Sequence, residues 1–163
     1  MEEKVKIEFK SISNPDRKAK ICKQIINNLP AWFGNEEAKK NYIEGVKGKF
    51  FLAAFNQMKP VGFISLKEHN QYTEEIYVLG ILKKYQRQGI GKRFLARVEE
   101  NLLTKEKKFL IVKTLGPTNP DEFYKKTRKF YRKMGFYPLE EMIEFWDEEN
   151  PCLFMVKLLG KRE

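Results

Sequence analysis

Histidine and cysteine are nearly absent from this chain of 163 residues, which contains one histidine and two cysteines. The two cysteines, Cys22 and Cys152, cannot form the disulfide framework of a small secreted protein, and their spacing fits no metal-binding motif. A single histidine argues against a metal site built from histidines and against a Ser-His catalytic triad. We interpret that histidine, His69, as a surface residue without a role, and we expect a reducing, cytoplasmic environment.

Long apolar segments are also missing. The longest plain run, Phe50–Phe55, is far shorter than the about 20 residues that cross a bilayer, and it is typical of a buried strand. The first ten residues, MEEKVKIEFK, alternate charged and apolar side chains, so we expect neither a signal peptide nor a membrane partner. With 42% hydrophobic and 33% charged residues, the sequence predicts one soluble globular domain over residues 1–163.

Positive charge is present in excess, with a formal net charge of +10. Residues 83–134 hold 16 lysines and arginines against 5 acidic residues, so this segment accounts for the whole excess. A local positive field suits a polyanion or a phosphorylated ligand. The alternatives are a solvated basic surface and a nucleic-acid-binding face, although no nucleic-acid-binding motif is visible.

Hydrophobic periodicity predicts an α+β fold in the order strand, two helices, three strands, helix, strand, helix, two strands. A strand, a helix and a strand follow one another across residues 75–114, so these two strands are expected to be parallel neighbours in a mixed sheet. The predicted segments, in chain order, are Lys4–Phe9, 13–29, Glu36–Val46, Phe50–Phe55, Val61–Leu66, Glu75–Leu82, Gly89–Leu103, Lys108–Thr114, Pro120–Met134, Tyr137–Phe145 and Cys152–Leu159.

The segment YQRQGIGKRF places Gly89 and Gly91 between a predicted strand and a predicted helix. The first amides of a helix have no internal partner, the helix dipole is positive there, and glycine lets a ligand approach the backbone, so such a turn can bind phosphate. Neither familiar phosphate motif fits. Arg93 breaks the Walker pattern, and Phe94 replaces the third glycine of a Rossmann turn.

In its context, this segment resembles the GCN5-related N-acetyltransferases, the GNAT superfamily. Its residues Gln86, Gly89 and Gly91 match the Gln/Arg-x-x-Gly-x-Gly/Ala signature of that family. The preceding EIYVLGIL is similar to the family's fourth strand, and TRKFYRKMGF, residues 127–136, is similar to its fourth helix. The resemblance covers nearly the whole chain and implies the GNAT fold, a mixed sheet of about six to seven strands flanked by helices, with a splayed central strand.

Three positions depart from the family pattern. Lys83 stands where the family often has a proline, Thr127 where it has an alanine, and Tyr124 where it often has an asparagine. The missing asparagine leaves one cofactor contact open and does not change the expected fold.

The resemblance implies that acetyl-CoA is the co-substrate and that no metal takes part. The pyrophosphate is expected in the turn and the pantetheine arm beside the central strand, where Gly80 is consistent with a bulge or a close approach of the backbone. The amide of Leu79 is expected to polarise the thioester carbonyl. The implied cofactor-binding residues are Leu79, Gly80, Ile81, Gln86, Arg87, Gln88, Gly89, Ile90, Gly91 and Lys92.

The resemblance also implies the catalytic groups. Tyr131 matches the family's general-acid tyrosine, and a phenol with a pKa of about 10 can donate to a leaving thiolate whose thiol has a pKa of about 8.5. An amine with a pKa of about 10.4 must lose a proton before it attacks. We expect Glu75 to accept that proton, with Glu74 or a water chain as alternatives. Tyr131 could instead only pack beside Phe130, and Glu75 could be merely solvated.

The implied activity is transfer of an acetyl group to a small-molecule amine or a peptide amine, by direct attack in a ternary complex. Trp32, Phe33 and Tyr42 are expected either to line the acceptor groove or to pack in the core. Six acidic residues in Glu140–Glu149 could attract a cationic acceptor or form only a solvated hairpin. The alternatives are a basic nucleic-acid-binding domain and a non-catalytic acyl-CoA sensor of the same fold. We expect a monomer or a homodimer.

Overall fold

A computed structural model of the chain describes residues 6–160. In that part of the chain the order of strands and α-helices is the predicted one, with short 3₁₀ turns added at Val46–Gly48 and Lys83–Tyr85. Across residues 6–160, none of the helices combines the length and the apolar character needed to cross a bilayer. The elements are β1 (Ile7–Ser11), α1 (Pro15–Ile26), α2 (Glu36–Gly45), β2 (Phe50–Asn56), β3 (Lys59–Glu68), β4 (Thr73–Ile81), α3 (Ile90–Thr104), β5 (Phe109–Leu115), α4 (Glu122–Lys133), β6 (Tyr137–Asp147) and β7 (Asn150–Leu158).

The strands form a seven-stranded mixed sheet in the order β1-β2-β3-β4-β5-β7-β6. β4 and β5 are parallel neighbours, which confirms the prediction from the strand–helix–strand pattern. Their register runs from the Thr73–Phe109 pair to the Ile76–Val112 pair and ends there, although β4 itself continues to Ile81. The β1–β2, β2–β3, β5–β7 and β6–β7 pairings are antiparallel. These features confirm the predicted α+β class and the central strand that parts from its neighbour.

The first helix, α1, begins with the capping signal that its sequence carries. Asn14 Oδ1 accepts a hydrogen bond from the Arg17 amide at 2.9 Å, and Pro15 lies in the first turn, where its missing N–H is no loss. The predicted end of this helix was wrong by three residues, because regular helix stops at Ile26 and tighter turns carry the chain on to the buried Leu29.

Most other predicted boundaries differ from those of the structure by one or two residues. The helix expected from Pro120 begins at Glu122, because Asp121 is the N-cap and its carboxylate accepts from the Tyr124 amide at 3.0 Å. Of the strand expected at Lys4–Phe9, the second half belongs to β1. Its first two residues lie outside the described part of the chain.

The first of two compact units contains the described residues up to Lys67 together with Tyr77–Phe94. It therefore holds β1 to β3, both N-terminal helices, the second half of β4 and the turn that follows it. Its core is a cluster of apolar side chains on α1, β2, β3 and β4, namely Ile12, Ile21, Cys22, Ile25, Ile26, Leu29, Val46, Phe51, Ala53, Phe55, Phe63 and Val78.

The second unit contains Glu68–Ile76 and the described residues from Leu95 onward. Its centre is β5, which pairs in parallel with the start of β4 and antiparallel with β7. α4 is tied to β5 by a hydrogen bond of 2.7 Å from the Arg128 guanidinium to the Leu115 carbonyl. β6 is the last strand of the order, and nearly all of its residues are exposed.

Candidate functional site

The turn between β4 and α3 lies wholly in the first unit, together with every residue that the sequence assigns to the cofactor. The chain leaves β4 at Ile81 and enters α3 at Ile90. The backbone is left-handed at two nearby positions, Arg87 with φ of 62° and Gly89 with φ of 81°. Glycine adopts that conformation without strain, whereas at Arg87 it carries a small steric cost. α3 begins directly after these two bends, at Ile90.

Two glutamine side chains hold this turn in shape. Gln86 Nε2 donates to the Ile81 carbonyl at 2.8 Å, and Gln88 Nε2 donates to the Lys84 carbonyl at 3.0 Å. Both residues were expected among the cofactor ligands, and in the structure their amides brace the turn against the chain that enters it. The groups that remain to meet an anion are the backbone amides at the start of α3 and the cationic side chains.

The cations of the turn have different surroundings. Arg93 reaches back to β1, where its Nη2 lies 3.5 Å from the Ile7 carbonyl oxygen and its guanidinium lies 4.5 Å from the centre of the Phe9 ring. Arg87 and Lys92 are exposed and lie within the turn itself. Arg93 therefore contributes to packing, whereas Arg87 and Lys92 are placed to attract phosphate.

Gly80 has little room for a side chain, because neighbouring side chains occupy the space where its Cβ would lie. A Cβ at this position would lie 3.0 Å from Cγ2 of Ile25 and 3.2 Å from Cε1 of Phe63, closer than packed atoms normally approach. The close approach expected from the sequence is thus made by side chains of α1 and β3. Leu79 and Ile81, on either side, are half-buried. All three follow Ile76, where the β4–β5 register ends.

An aromatic cluster joins α2 and the preceding loop to β4. The ring centres of Phe33 and Tyr42 are 5.9 Å apart, those of Tyr42 and Tyr77 are 5.4 Å apart, and Lys49 Nζ lies 4.2 Å from the centre of the Tyr77 ring. Trp32, Phe33 and Tyr42 pack against the core of the first unit and are only partly buried. Burial, and then the nearby Lys67, lower the pKa of Lys49.

Tyr131 lies in the second unit, on α4, and is 5% exposed. Its ring centre is 5.3 Å from that of Phe130 and 5.4 Å from that of Phe136, so the packing role considered for it is real. One turn earlier, the Thr127 hydroxyl donates to the Phe123 carbonyl at 3.2 Å. Packing on two aromatic rings fixes the orientation of the Tyr131 ring, which a proton donor also requires.

Glu75 also lies in the second unit, and it is buried and engaged. Its Oε1 atom lies 2.6 Å from His69 Nε2 and 3.3 Å from Lys113 Nζ. The sequence interpretation gave His69 no role and named no partner for Glu75. In the structure, a 3.0 Å backbone hydrogen bond from the His69 amide to the Thr73 carbonyl closes the turn between β3 and β4, two residues before Glu75. No local signal pointed to Lys113.

Glu74 points to the opposite face of β4. It is 4% exposed and forms an ion pair with Lys107, whose Nζ lies 3.5 Å from Glu74 Oε2, 3.1 Å from Glu68 Oε2 and 2.7 Å from the Asn70 carbonyl. Burial raises the pKa of Glu74, and Lys107 opposes that shift. This arrangement is typical of a structural ion pair.

The two cysteines are buried free thiols. Burial raises the pKa of Cys22 to about 12 and that of Cys152 to about 11. In residues 6–160, no group of three or more histidine, cysteine, aspartate and glutamate side chains is arranged to hold a metal ion.

Comparison with known proteins points to one family. The model of the acetyltransferase (GNAT) domain matches residues 47–138. No curated protein matches the chain in sequence. Among solved structures, a GNAT-family protein from Desulfovibrio desulfuricans is similar with a TM-score of 0.81 and 16% identity, over 95% of this chain and 100% of that chain.

Two further solved structures are similar to the chain. An aminoglycoside 6'-N-acetyltransferase from Enterococcus faecium has a TM-score of 0.71 at 17% identity, over 96% of this chain and 99% of that chain. A GNAT family acetyltransferase from Elizabethkingia anophelis with acetyl-CoA bound has a TM-score of 0.68 at 18% identity, over 94% of this chain and 98% of that chain. At these identities the likeness establishes the fold.

Proposed function

Because the chain belongs to the GNAT acetyltransferase family, whose domain model matches residues 47–138, we propose that it is an acetyl-CoA-dependent N-acetyltransferase. It moves the acetyl group to a small-molecule amine or a peptide amine by direct attack in a ternary complex. The proposed acceptor is supported by a neighbour of the same fold that is named for acetylation of aminoglycosides, which are amines.

The observation that carries the proposal is the braced turn between β4 and α3. Its helix N-terminus and the exposed side chains of Arg87 and Lys92 suit the pyrophosphate of acetyl-CoA. The bonds made by Gln86 and Gln88 hold the turn before the ligand arrives, which reduces the free energy spent on ordering it.

The second half of β4 is proposed to bind the pantetheine arm. The β4–β5 register ends at Ile76, ahead of Leu79, Gly80 and Ile81. An extended arm with amide groups can bond to such backbone as an added strand does. We assign the Leu79 amide to the thioester carbonyl, where a fixed donor stabilises the negative charge that develops on oxygen.

Tyr131 is proposed to protonate the leaving sulfur. When the amine nitrogen has bonded to the carbonyl carbon, the C–S bond breaks and the thiolate takes the phenolic proton. For the proton that the acceptor must lose before attack, we assign the cluster around Glu75, meaning the carboxylate or a group or water that it holds. The six acidic residues of Glu140–Glu149 would attract a cationic acceptor.

Ligand-induced stabilisation tests the cofactor site directly. At a concentration about 100 times Kd, a ligand stabilises the fold by about 2.7 kcal/mol, which for a chain of this size raises Tm by roughly 5–10 °C. We expect both acetyl-CoA and CoA to do so, because the pyrophosphate is common to them. Gly91→Trp should abolish the shift and Gly48→Trp, at an exposed glycine with open space around it, should retain it. No shift in the unmodified protein at millimolar CoA would refute the assignment.

Two alternatives are separated by further assays. The exposed lysines of α4 favour a nucleic-acid-binding face, which predicts binding of duplex DNA or RNA that CoA does not displace. A non-catalytic acyl-CoA sensor would show the thermal shift without turnover. A thiol-release assay with a panel of primary amines distinguishes the sensor from an enzyme. Better turnover with anionic or hydroxyl acceptors than with amines would contradict the proposed acceptor class.

A further inference from the structure

We propose that His69 accepts the proton that the acceptor amine loses, and that Glu75 positions its imidazole ring. This inference rests on the proposed function and names the atom that performs one of its steps. It starts from the 2.6 Å contact between His69 Nε2 and Glu75 Oε1. Glu75 is buried, with 7% of its side chain exposed, whereas 30% of the His69 side chain is exposed. Of the two groups, the imidazole is the one that a substrate or a water molecule can reach.

The contact determines which nitrogen of the ring can act as a base. A carboxylate can only accept a hydrogen bond, so Nε2 carries the hydrogen that lies between the two residues. In the neutral ring, the lone pair is then on Nδ1. A carboxylate that holds one imidazole nitrogen in this way fixes the tautomer and the ring orientation and stabilises the imidazolium that forms. Nδ1 of His69 is therefore the proton-accepting atom.

Lys113, on β5, is the second residue that contacts the Glu75 carboxylate. Its Nζ lies 3.3 Å from the same Oε1 atom of Glu75, so the buried carboxylate has a compensating charge as well as a hydrogen-bond partner. Lys113 is itself held between two rings, with Nζ 5.0 Å from the centre of Phe145 and 5.6 Å from the centre of Phe154. Lys113 from β5 and His69 from the turn between β3 and β4 thus both contact Glu75 Oε1 and hold the carboxylate in place.

The ionisable side chains of the surrounding elements include the exposed Lys67 on β3 and Tyr72 in the β3–β4 turn, together with others that are paired or uncharged. Glu68 and Glu74 are both paired with Lys107, from the loop between α3 and β5. On β7, burial raises the pKa of Cys152 to about 11, so this thiol is uncharged through the neutral range. Glu75 is the ionisable group in direct contact with the ring, and Lys113 acts on the ring through Glu75.

The acceptor arrives as an ammonium ion. One N–H bond of the acceptor breaks and an Nδ1–H bond forms on His69, which becomes an imidazolium stabilised by Glu75. The neutral amine then attacks the thioester, the C–S bond breaks, and the sulfur takes the proton of Tyr131. The acylated nitrogen gives up its second proton to solvent, solvent reprotonates Tyr131, and His69 returns its proton to solvent through its exposed edge.

The first test is the tautomer of His69, and it does not require activity. Because the chain has one histidine, nitrogen-15 labelling of imidazole in a tag-free protein gives a single ring to observe. Above the pH at which the ring loses its proton, we expect Nδ1 to be the unprotonated nitrogen and Nε2 the protonated one. Glu75→Gln should weaken that preference. A ring protonated at Nδ1 in the unmodified protein would overturn the inference.

The second test is the pH dependence of kcat/KM for an amine that the protein acetylates. The unmodified protein should gain activity as pH rises through the range in which the ring deprotonates. His69→Gln should lose that limb and about 10²–10⁴-fold in kcat, and added imidazole should restore part of the activity of His69→Ala. Gln71→Ala, at an exposed position in the same turn, should behave as the unmodified protein.

Two other results are decisive in different ways. An unchanged pH limb in His69→Gln would overturn the role of His69 and leave the transferase assignment intact. If the unmodified protein acetylates no amine, the proposed function fails and the catalytic role of His69 fails with it. The tautomer measurement then still decides the Glu75–His69 geometry.

Discussion

At Tyr131 a single substitution separates the packing of the ring from the proton donation proposed for the hydroxyl. Tyr131→Phe keeps the ring that packs on Phe130 and Phe136 and removes only the proton donor. We expect kcat to fall about 10²–10⁴-fold, with the affinity for acetyl-CoA nearly unchanged, because only the transition state loses a bond.

Steady-state kinetics and a direct binding measurement check this prediction. Tyr137→Phe is the matched control, since Tyr137 is 55% exposed on the next strand. A kcat that is equal in Tyr131→Phe and in the control would return Tyr131 to packing alone, provided that the absence of a pre-steady-state burst shows that chemistry, and not product release, limits kcat.

The two buried thiols should be inert in the folded protein. Because burial raises the pKa of Cys152 to about 11, only about one molecule in a thousand carries the reactive thiolate there at pH 8. In the unfolded chain a cysteine has a pKa of about 8.5. The stabilisation that comes from keeping the thiols neutral is therefore complete below that pH and is lost as the pH rises toward 11.

A chromogenic disulfide reagent measures this protection. We expect slow labelling of the native protein at pH 8, two thiols labelled per chain after denaturation, and native labelling that accelerates steeply above pH 9. Rapid labelling of the native protein at pH 8 would show that at least one thiol is accessible.

At the scale of single elements, the backbone conformation of the β4–α3 turn leads to a prediction about stability. Gly89 and Gly48 both have open space where a Cβ would lie, but only Gly89 has a left-handed φ, of 81°. Gly89→Ala should cost about 1–2 kcal/mol, whereas Gly48→Ala should be neutral or slightly stabilising. Urea unfolding of the two variants measures the difference, and equal midpoints would contradict it.

Most secondary-structure elements could be predicted because their signals are local. Apolar spacing located the helices and strands, and the predicted start of α1 at residue 13 lies two residues before the observed start at Pro15. The errors lie at ends where the competing signal is a single side chain or a tight turn, as with the Asp121 cap of α4 and the irregular turns between Ile26 and Leu29.

The part of the candidate site that one continuous segment forms could be proposed from the sequence. The contacts between distant segments could not. The turn of Gln86–Lys92 follows a local motif, so the sequence sufficed to find it. The contact of Glu75 with Lys113 depends on the register of a parallel strand pair, in which Glu75 lies opposite Ile111. Neighbouring residues do not encode that register, because the two strands are joined through a whole helix.

For the whole molecule, the uneven charge predicts a strong effect of salt on cofactor binding. The segment of residues 83–134 carries the positive excess, and the phosphates of acetyl-CoA carry the opposite charge. An exposed charge pair at 4 Å is worth about 1 kcal/mol, or about fivefold in Kd, and salt screens it. We therefore expect the Kd for acetyl-CoA to rise several-fold between 50 and 500 mM salt.

A donor without phosphates provides the control for this prediction. The Kd for acetyl-pantetheine, which lacks the pyrophosphate and the nucleotide, should change little over the same range of salt. Equal salt dependence of the two donors in titration calorimetry would show that the basic segment does not serve the phosphates.

The exposed outer strand β6 determines how the protein behaves when it is concentrated. An edge strand offers unpaired backbone groups to other chains, and β6 also exposes Leu139, Ile143, Phe145 and Trp146. Its glutamates and the nearby Pro138 interrupt this apolar row and act as gatekeepers against intermolecular strand pairing. Replacing Glu144 with valine would therefore leave the melting temperature nearly unchanged and lower the concentration at which the protein stays dispersed.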